Sequence, residues 1–353
     1  MDVRESSVSY DPSLAVGYGR IISLAYQMYH SDPSNQTPAP PVDFPTGYRF
    51  IAWVQMKDFL LVEDDDWTFY GLIVQSTTDE SKFVLAIRGT SNLTEWWDDL
   101  TSMALVPLEG FGNVGYGFSR IYQTLRVVDF APTAAPGAEA VPRSLEPVGT
   151  FAHQVAAAVQ RHAGIAKPSR EKKAEARSPA VRSIEVTGHS LGAALATLYV
   201  AENANAGLVN TPLICTFASP RVGDPVFATK FDQLGNTSWR IVNELDVVPN
   251  LPFLGFKHVD TLHPYNSGSS VNWSLACWHS LNTYLHLLDP KQPLDAQCRW
   301  PPKVAATAPL RDTVGLAKAA AALSVQADRE GARSGQPDAG APINITINIE
   351  RAE

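Results

Sequence analysis

The sequence has few cysteines, few charged residues and no long apolar run. Cysteine occurs three times, and no two cysteines form a C-x-x-C pair, which argues against a disulfide scaffold. We expect Cys215, Cys277 and Cys298 to be free buried thiols, with a Cys277–Cys298 bridge as the alternative in an oxidising compartment. No run approaches the roughly 18 apolar residues that a transmembrane helix needs, so none is predicted.

Charged residues are sparse, at 18% of the chain, and acidic residues exceed basic ones. Lysine and arginine total 28 and aspartate and glutamate total 36, so the formal net charge is −8. Such a chain repels phosphate backbones, which excludes nucleic acid as a predicted partner and disfavours a strongly anionic membrane surface. No basic stretch followed by an apolar one opens the chain, so no secretory signal is visible. We expect a cytoplasmic protein, or one exported by a non-classical route.

Apolar residues make up 45% of the chain and follow the patterns of an α/β protein. Helical spacing in Pro12–His30 and in Thr150–His162 predicts two helices. Strand-like runs alternate with further helical stretches, which predicts a mostly parallel sheet. The predicted strands are Tyr48–Gln55, Trp67–Gln75, Phe83–Ile87, Ser183–Thr187, Leu213–Phe217 and Trp239–Val242.

One segment interrupts this alternation in the middle of the chain. Ala131–Pro147 is rich in alanine and proline, and residues 167–177 mix acidic and basic side chains. These compositions are typical of solvated loops. They predict an insert at about residues 131–182 within one domain.

The composition changes again near the C-terminal end. Leu310–Arg329 is rich in alanine and predicts a helix. Isoleucines then alternate with polar residues over 343–349, the pattern of a strand that adds to a sheet edge, although a loose tail fits equally well. We expect one domain over residues 1–301 and an extension over residues 302–353.

The sharpest local signal is the pentapeptide Gly188-His189-Ser190-Leu191-Gly192, a G-x-S-x-G pattern. A β-like run precedes it and a run of small, helix-forming residues follows it. This strand–turn–helix context is typical of a nucleophile elbow, in which Gly188 and Gly192 leave room for a tight turn. The pattern predicts Ser190 as a nucleophile.

A serine hydroxyl needs a base, and the base needs an orienting carboxylate. In proteins with this elbow the acid follows the serine and the histidine comes last. Asp246 is favoured as the acid because it comes just after a predicted strand, and Asp224 is the second choice. Spacing alone does not separate His258 from His279 as the base. We expect His258 and His263 to lie in a loop.

The third predicted strand leads into two further candidate features. An oxyanion hole needs N–H donors from the residue after the nucleophile, which is Leu191, and from a loop after an earlier strand, where Thr90 lies. Leu93, Trp96 and Trp97 follow on one helical face. This face fits an amphipathic lid over the site or an ordinary packed helix.

Taken in order, five blocks of sequence resemble the class 3 lipases, the fungal-type triacylglycerol lipase family of the α/β-hydrolase fold. The resemblance spans about residues 12–290. The blocks are FVLAIRGTSNLTEWWDDL (83–100), VGYGF (114–118), VTGHSLGAALA (186–196), FASPRVGD with RIVNELDVVPNLP (217–224 and 240–252), and FKHV with WHSLNTYL (256–259 and 278–285).

The resemblance implies a mostly parallel central sheet with helices on both faces and a nucleophile elbow after a central strand. It implies that Ser190, Asp246 and His279 form a catalytic triad. It also implies that His258 stands outside that triad, so the family decides between histidines that spacing left open.

The resemblance also implies roles for the loop residues near the elbow. Thr90 and Leu191 match the oxyanion-hole positions, and Leu93–Trp97 match the lid. One departure is visible at Gly115, where family members often carry histidine. That position is not catalytic in the family, so we expect the departure to affect packing more than chemistry.

We therefore expect a carboxylic ester hydrolase that acts on acylglycerols or other lipid esters through an acyl-enzyme, with transient contact to a lipid interface. No cofactor is expected, and no spacing of His and Cys resembles a metal site. A non-lipolytic esterase, an amidase with the same triad and a catalytically silent lipase-like scaffold are the alternatives. The sequence leaves the oligomeric state open.

Overall fold

Nine of the strands in the described part of the chain form one β-sheet. The computed structural model describes residues 8–57, 67–90, 103–131, 141–143, 149–163, 182–259 and 261–300. Two further strands, β4 and β5, form a separate hairpin. The strands are β1 (Tyr48–Lys57), β2 (Trp67–Ser76), β3 (Lys82–Ile87), β4 (Leu105–Leu108), β5 (Gly112–Gly115), β6 (Arg126–Ala131), β7 (Val141–Arg143), β8 (Ser183–His189), β9 (Leu213–Phe217), β10 (Thr237–Asn243) and β11 (Thr261–Tyr265).

The first helix starts where the sequence supplies a side-chain cap. At the first helix, Pro12 has no N–H to satisfy, and the Asp11 side chain accepts a hydrogen bond from the Ser13 N–H. The helices are α1 (Pro12–Ser31), α2 (Tyr116–Tyr122), α3 (Phe151–Ala163), α4 (Leu191–Ala206), α5 (Pro225–Asp232), α6 (Leu275–His279) and α7 (Leu281–Leu288). Among the described residues, no helix is both long enough and apolar enough to cross a membrane.

The order of the strands places one parallel block beside one antiparallel block. The order is β11-β10-β9-β8-β3-β2-β1-β6-β7. Pairs from β11 to β3 are parallel, and pairs from β3 to β7 are antiparallel. The carboxyl ends of the five parallel strands therefore share one edge of the sheet, where sites form in open α/β sheets. The expected α/β-hydrolase fold is confirmed.

Helices cover both faces of the sheet. On one face, Ile22 of α1 and Tyr284 of α7 are buried against the underside of the parallel strands. On the other face, Phe118 of α2, Val155 of α3 and Leu195 of α4 lie in a second apolar cluster. Burying apolar side chains on both faces is the main force that holds such a sheet between its helices.

The region predicted as an insert contributes to this packing. Helix α3 lies within residues 131–182 and buries its apolar side in the core, and β7 pairs with β6 at the sheet edge. The remaining predicted loops of that region, and the whole extension over 302–353 with its helix and strand, lie outside the described residues. The division of the chain into these two parts stays a prediction.

His263 differs from its prediction. It lies on the edge strand β11 and not in a loop, and its ring stacks on Tyr10 with the centroids 3.6 Å apart. The residues of β11 are mostly exposed or half-buried, so no apolar run marks the strand in the sequence.

The prediction of three free thiols is wrong for two of them. Cys277 and Cys298 form a disulfide, whereas Cys215 is free and buried as expected. The bridge joins α6 to a short turn near residue 298, where Val271 and Arg299 pair as an isolated antiparallel bridge. The Cα atoms of Cys277 and Cys298 lie 5.2 Å apart, within the usual range for a disulfide.

Candidate active site

Ser190 sits on a strained turn between β8 and α4. Its backbone angles are φ 57° and ψ −125°, a region that costs a non-glycine residue about 1–3 kcal/mol. The Ser190 N–H donates to the Phe217 carbonyl at 3.0 Å, which ties the turn to the neighbouring strand β9. The turn lifts the side chain to the carboxyl edge of the parallel strands, as the pentapeptide predicts.

The two elbow glycines are required by close backbone contacts. A methyl group at Gly188 would lie 2.3 Å from the Gly192 carbonyl oxygen. A methyl group at Gly192 would lie 2.3 Å from the Ile87 carbonyl oxygen, because α4 begins directly against the end of β3. The turn therefore packs between two strands only when both side chains are absent.

The structure brings Ser190, His279 and Asp246 into one hydrogen-bonded line. His279 Nε2 lies 2.8 Å from Ser190 Oγ, and His279 Nδ1 lies 2.7 Å from Asp246 Oδ2. The three residues are 1%, 6% and 2% exposed, respectively. A carboxylate only accepts, so Nδ1 carries the proton and the neutral ring accepts the serine hydroxyl proton at Nε2. This is the arrangement that activates a serine as a nucleophile.

Asp246 is held by donors besides His279. The Val248 N–H donates to Oδ1 at 3.0 Å, and the Tyr284 hydroxyl donates to Oδ2 at 2.7 Å. Burial and the charge of Asp246 raise the pKa of Tyr284 well above its usual value, so its hydroxyl stays protonated. Sequence reasoning assigned Tyr284 no role, although its place five residues after His279 in the last family block is a signal that could have found it.

Asp224, the second choice for the acid, has another role. It is the N-cap of α5, where it accepts from the Phe227 N–H at 2.7 Å and from the Asn113 side-chain amide at 2.7 Å. Burial disfavours the charge, but these donors outweigh it and hold the pKa of Asp224 below its usual value. This carboxylate therefore secures the β5 and α5 loops.

His258, the alternative base, lies away from the serine. Its Nε2 donates to the Pro249 carbonyl oxygen, so that ring nitrogen is engaged by the backbone. Burial and the nearby Arg240 charge lower the pKa of His258 to about 3. The structure thus places His279, and not His258, against Ser190.

The two oxyanion candidates lie on either side of the elbow. Thr90 follows β3, and a methyl group at the preceding Gly89 would lie 2.9 Å from Ser190 Cβ, so this loop is packed against the serine. Leu191 is the first residue of α4, where the N–H has no partner within the helix. Thr90 and Leu191 thus lie next to Ser190 in the chain or in space, and their roles as oxyanion donors stay predictions.

Gly115 is enclosed by the side chains around it. A methyl group there would lie 2.3 Å from Met103 Sδ and 2.8 Å from the Phe118 ring. A larger residue at this position would require Met103 or Phe118 to shift, so the departure from the family pattern affects packing around Gly115.

The lid candidates Leu93, Trp96 and Trp97 are outside the described residues. Within the described ranges, no group of three or more His, Cys, Asp or Glu side chains could hold a metal ion.

The chain is similar to several plant phospholipases. It is 32% identical to phospholipase A1-II 1 of Oryza sativa subsp. indica over 259 residues, which cover 69% of this chain and 60% of the rice protein. It is 34% identical to phospholipase A1-II 3 of Oryza sativa subsp. japonica over 63% of this chain and 53% of that protein. The chain thus spans about 60% or less of the length of these curated relatives.

Solved structures and a family model give two further comparisons. The Rhizomucor miehei lipase–propeptide complex is similar to this chain with a TM-score of 0.48 and 20% identity, over 73% of this chain and 70% of that chain. The family model of the class 3 lipases matches residues 84–256, which include Ser190 and Asp246. Together with the identity to the rice proteins, this match confirms the predicted resemblance to the class 3 lipase family.

Proposed function

We propose that this chain is a serine hydrolase of carboxylic esters in lipids. The observation that carries the proposal is the hydrogen-bonded line from Ser190 Oγ through His279 to Asp246, at 2.8 and 2.7 Å. The match to the class 3 lipase family supports the same chemistry. A scaffold without catalysis has no physical need to keep these three buried polar groups aligned on a strained turn.

The reaction begins when His279 Nε2 takes the Ser190 hydroxyl proton. Ser190 Oγ then bonds to the ester carbonyl carbon, and the carbonyl π electrons move to its oxygen. The oxyanion then re-forms the carbonyl double bond, and the bond from the carbonyl carbon to the alcohol oxygen breaks. His279 gives its proton to the departing alcohol oxygen, which releases the alcohol and leaves an acyl-enzyme. Water, deprotonated by His279, repeats the sequence and releases the fatty acid.

Groups at fixed positions stabilise the charges that develop on the carbonyl oxygen and on His279 during the reaction. Thr90 and Leu191 N–H groups face the oxyanion, and the N-terminus of α4 adds a positive partial charge at the same place. Asp246, held by Val248 and Tyr284, keeps the His279 ring oriented and stabilises its cation. Removing one oxyanion donor typically costs about 2.7–4 kcal/mol of transition-state stabilisation.

For the substrate, we propose a glycerolipid with phospholipids tested first. The rice relatives carry the name phospholipase A1, which denotes cleavage of the ester at the first glycerol carbon. Ser190 is 1% exposed, so a two-chain lipid reaches it only after covering residues move. Transient contact with a lipid surface would favour that movement, because apolar surface is exposed when a covered site opens.

The test uses the purified full chain on 4-nitrophenyl esters of increasing acyl length and on phosphatidylcholine with a different acyl chain at each position. We expect hydrolysis of the esters, release of the acid from the first position, and a rate that rises when the lipid forms an interface. Hydrolysis of a triacylglycerol emulsion would indicate a general lipase. Hydrolysis of an anilide substrate would indicate an amidase.

Ser190→Ala is the matched control, because it removes only the hydroxyl oxygen and keeps the backbone of the elbow unchanged. Hydrolysis that disappears in this variant supports the proposal. Equal rates for the wild type and Ser190→Ala, or no turnover of any ester at an interface, would overturn it.

The disulfide bears on where the protein works. Bridges such as Cys277–Cys298 persist in oxidising compartments and are rare in the cytosol. We therefore favour export over a cytoplasmic location. Thiol alkylation in denaturant of protein taken directly from its source tests this, because all three cysteines are buried in the folded chain. Modification of all three cysteines without prior reduction would contradict it.

A further inference from the structure

Three hydrogen bonds connect the loop before Thr90 to the backbone of the proposed base. The Gly89 N–H lies 2.8 Å from the Tyr26 hydroxyl oxygen. That oxygen lies 2.8 Å from His189 Nδ1, and His189 Nε2 lies 2.9 Å from the His279 carbonyl oxygen. This chain of contacts includes a residue of the elbow itself, because His189 directly precedes Ser190.

The direction of each hydrogen bond follows from the acceptors. A carbonyl oxygen accepts only, so the proton of the neutral His189 ring lies on Nε2. Nδ1 is then an acceptor and takes the proton of the Tyr26 hydroxyl. The hydroxyl oxygen in turn accepts from the Gly89 N–H. Each of the three groups therefore has its proton fixed by its neighbour.

Gly89 is held on its other side as well. Arg88 Nη1 donates to the Gly89 carbonyl oxygen at 2.8 Å, while Arg88 is itself fixed by two hydrogen bonds to the Phe69 carbonyl oxygen. In a planar trans peptide the N–H points opposite to the carbonyl. The Thr90 N–H therefore points away from Arg88, and its direction is set by the two bonds that hold Gly89.

We infer that Tyr26 and His189 are positioning residues, which hold the Thr90 loop and the His279 backbone at fixed places around Ser190. The inference rests on the proposed function, because it explains how the oxyanion donor and the base are kept in register. Neither residue is a catalytic residue. Both ring nitrogens of His189 are engaged, by Tyr26 and by the backbone, so neither is left to move a substrate proton.

The protonation of both groups supports a constant arrangement. Burial raises the pKa of Tyr26 to about 12, although the Arg88 charge and the Gly89 N–H oppose it. Burial and the neighbouring His279 lower the pKa of His189 well below its usual value. The hydroxyl thus stays protonated and the imidazole stays neutral across the range in which an esterase works.

The main test is Tyr26→Phe, which deletes one oxygen and two of the three hydrogen bonds. A misplaced donor and base cost mostly transition-state stabilisation, so we expect kcat to fall about 10- to 100-fold while KM changes by less than about twofold. Tyr122→Phe is the matched control, because its buried hydroxyl donates to Glu202 on the opposite face of the sheet. We expect this control to melt at a lower temperature and to keep its kcat.

A second pair of variants separates positioning from folding. The amide of His189→Gln keeps a donor for the His279 carbonyl, whereas His189→Leu keeps none. We expect kcat to be partly restored in His189→Gln relative to His189→Leu. The loss in Tyr26→Phe with His189→Leu together should be smaller than the product of the single losses, because both act through one chain of contacts.

Two readouts do not depend on turnover of an ester. The ¹⁵N resonances of labelled histidine show which nitrogen of His189 carries the proton, and the rate of modification by a fluorophosphonate reports on Ser190 and its surroundings. We expect a protonated Nε2 in the wild type, and slower modification in Tyr26→Phe but not in Tyr122→Phe.

The outcomes for the two proposals are distinct. If the wild type hydrolyses esters and Tyr26→Phe matches Tyr122→Phe in kcat and in modification rate, the positioning role is wrong and the proposed function stands. If no ester is hydrolysed but the tautomer and the modification rates are as expected, the positioning role stands and the proposed function is wrong. A proton on Nδ1 of His189 overturns the positioning role in either case.

Discussion

Tyr284 and His279 donate to the same carboxylate oxygen. Asp246 Oδ2 lies 2.7 Å from the Tyr284 hydroxyl and 2.7 Å from His279 Nδ1. Two donors on one oxygen fix its position more firmly than one, and Asp246 Oδ1 is held separately by the Val248 N–H. The orientation of the His279 ring therefore depends on a residue of α7 that does not touch the serine.

Tyr284→Phe should lower both activity and stability. Removing the hydroxyl takes one charge-assisted hydrogen bond from a buried carboxylate, which costs about 1.5–3 kcal/mol. We expect kcat to fall about tenfold through looser orientation of His279, as measured by steady-state ester hydrolysis. Tyr199→Phe is the matched control, since no hydrogen bond within the described ranges engages its buried hydroxyl. Equal behaviour of the two variants would show that the Tyr284 hydroxyl is not used.

Substitutions at Asp246 and Asp224 should affect different properties, activity in the first case and stability in the second. Asp246→Asn leaves the shape of the site intact but disturbs the tautomer of His279, so we expect kcat to fall by about 10⁴-fold with a melting temperature near that of the wild type. Asp224→Ala removes the N-cap of α5 and should cost about 0.5–2 kcal/mol of stability with kcat retained. The reverse pattern in thermal melting and kinetics would assign the acid to Asp224.

Loss of the disulfide should reduce stability and activity together. The bridge closes a loop with a sequence separation of 21, and constraining the unfolded chain over such a loop is worth about 3 kcal/mol. His279 lies two residues after Cys277 within this loop. We expect Cys277→Ala with Cys298→Ala to have a lower urea midpoint and a lower kcat.

A reductant separates the disulfide from the free thiol. Wild-type protein and Cys215→Ala should both lose stability on reduction, because Cys215 takes no part in the bridge. The double variant should not respond. A double variant that unfolds at the wild-type midpoint would contradict the predicted contribution.

Stability should fall in acid in part because of His258. Its pKa in the folded chain is about 3, below the value of about 6.5 for an exposed histidine, so the unfolded chain binds more protons between these values. The stability contributed by the neutral ring is present above about pH 6.5 and is lost as the pH falls toward 3.

His258→Gln should reduce this acid sensitivity, because its amide can donate to the Pro249 carbonyl without titrating. The measurement compares urea midpoints at about pH 7 and about pH 4.5. His153→Gln, on the exposed side of α3, is the matched surface control. An unchanged difference between the two pH values in His258→Gln would exclude the assignment.

The strands that the sequence predicts well are those buried on both faces. β9 was predicted over Leu213–Phe217 and is found there, and β3 begins one residue earlier than predicted, at Lys82. Continuous apolar runs mark such strands. The hairpin β4–β5 and the edge strand β11 were missed, since partial exposure leaves them without an apolar run or strict alternation.

The elbow and the order of the triad could be predicted because they follow local sequence and chain order. The contact between Tyr26 and His189 could not, because it joins residues 163 positions apart and a hydroxyl–imidazole pair has no periodic signature. The disulfide could be offered only as an alternative, because its partners lie 21 positions apart and no local pattern in the sequence shows that they meet.

Helix α1 and His279 have a practical consequence for dissecting this chain. The family match runs from residue 84 to residue 256, so a fragment trimmed to those limits keeps Ser190 and Asp246 and discards both Tyr26 and His279. Such a fragment would also lack helix α1, which covers part of one face of the sheet. The exposed apolar surface would favour aggregation. A search for inactivating mutations that considers only residues 84–256 would therefore miss substitutions at Tyr26 and His279.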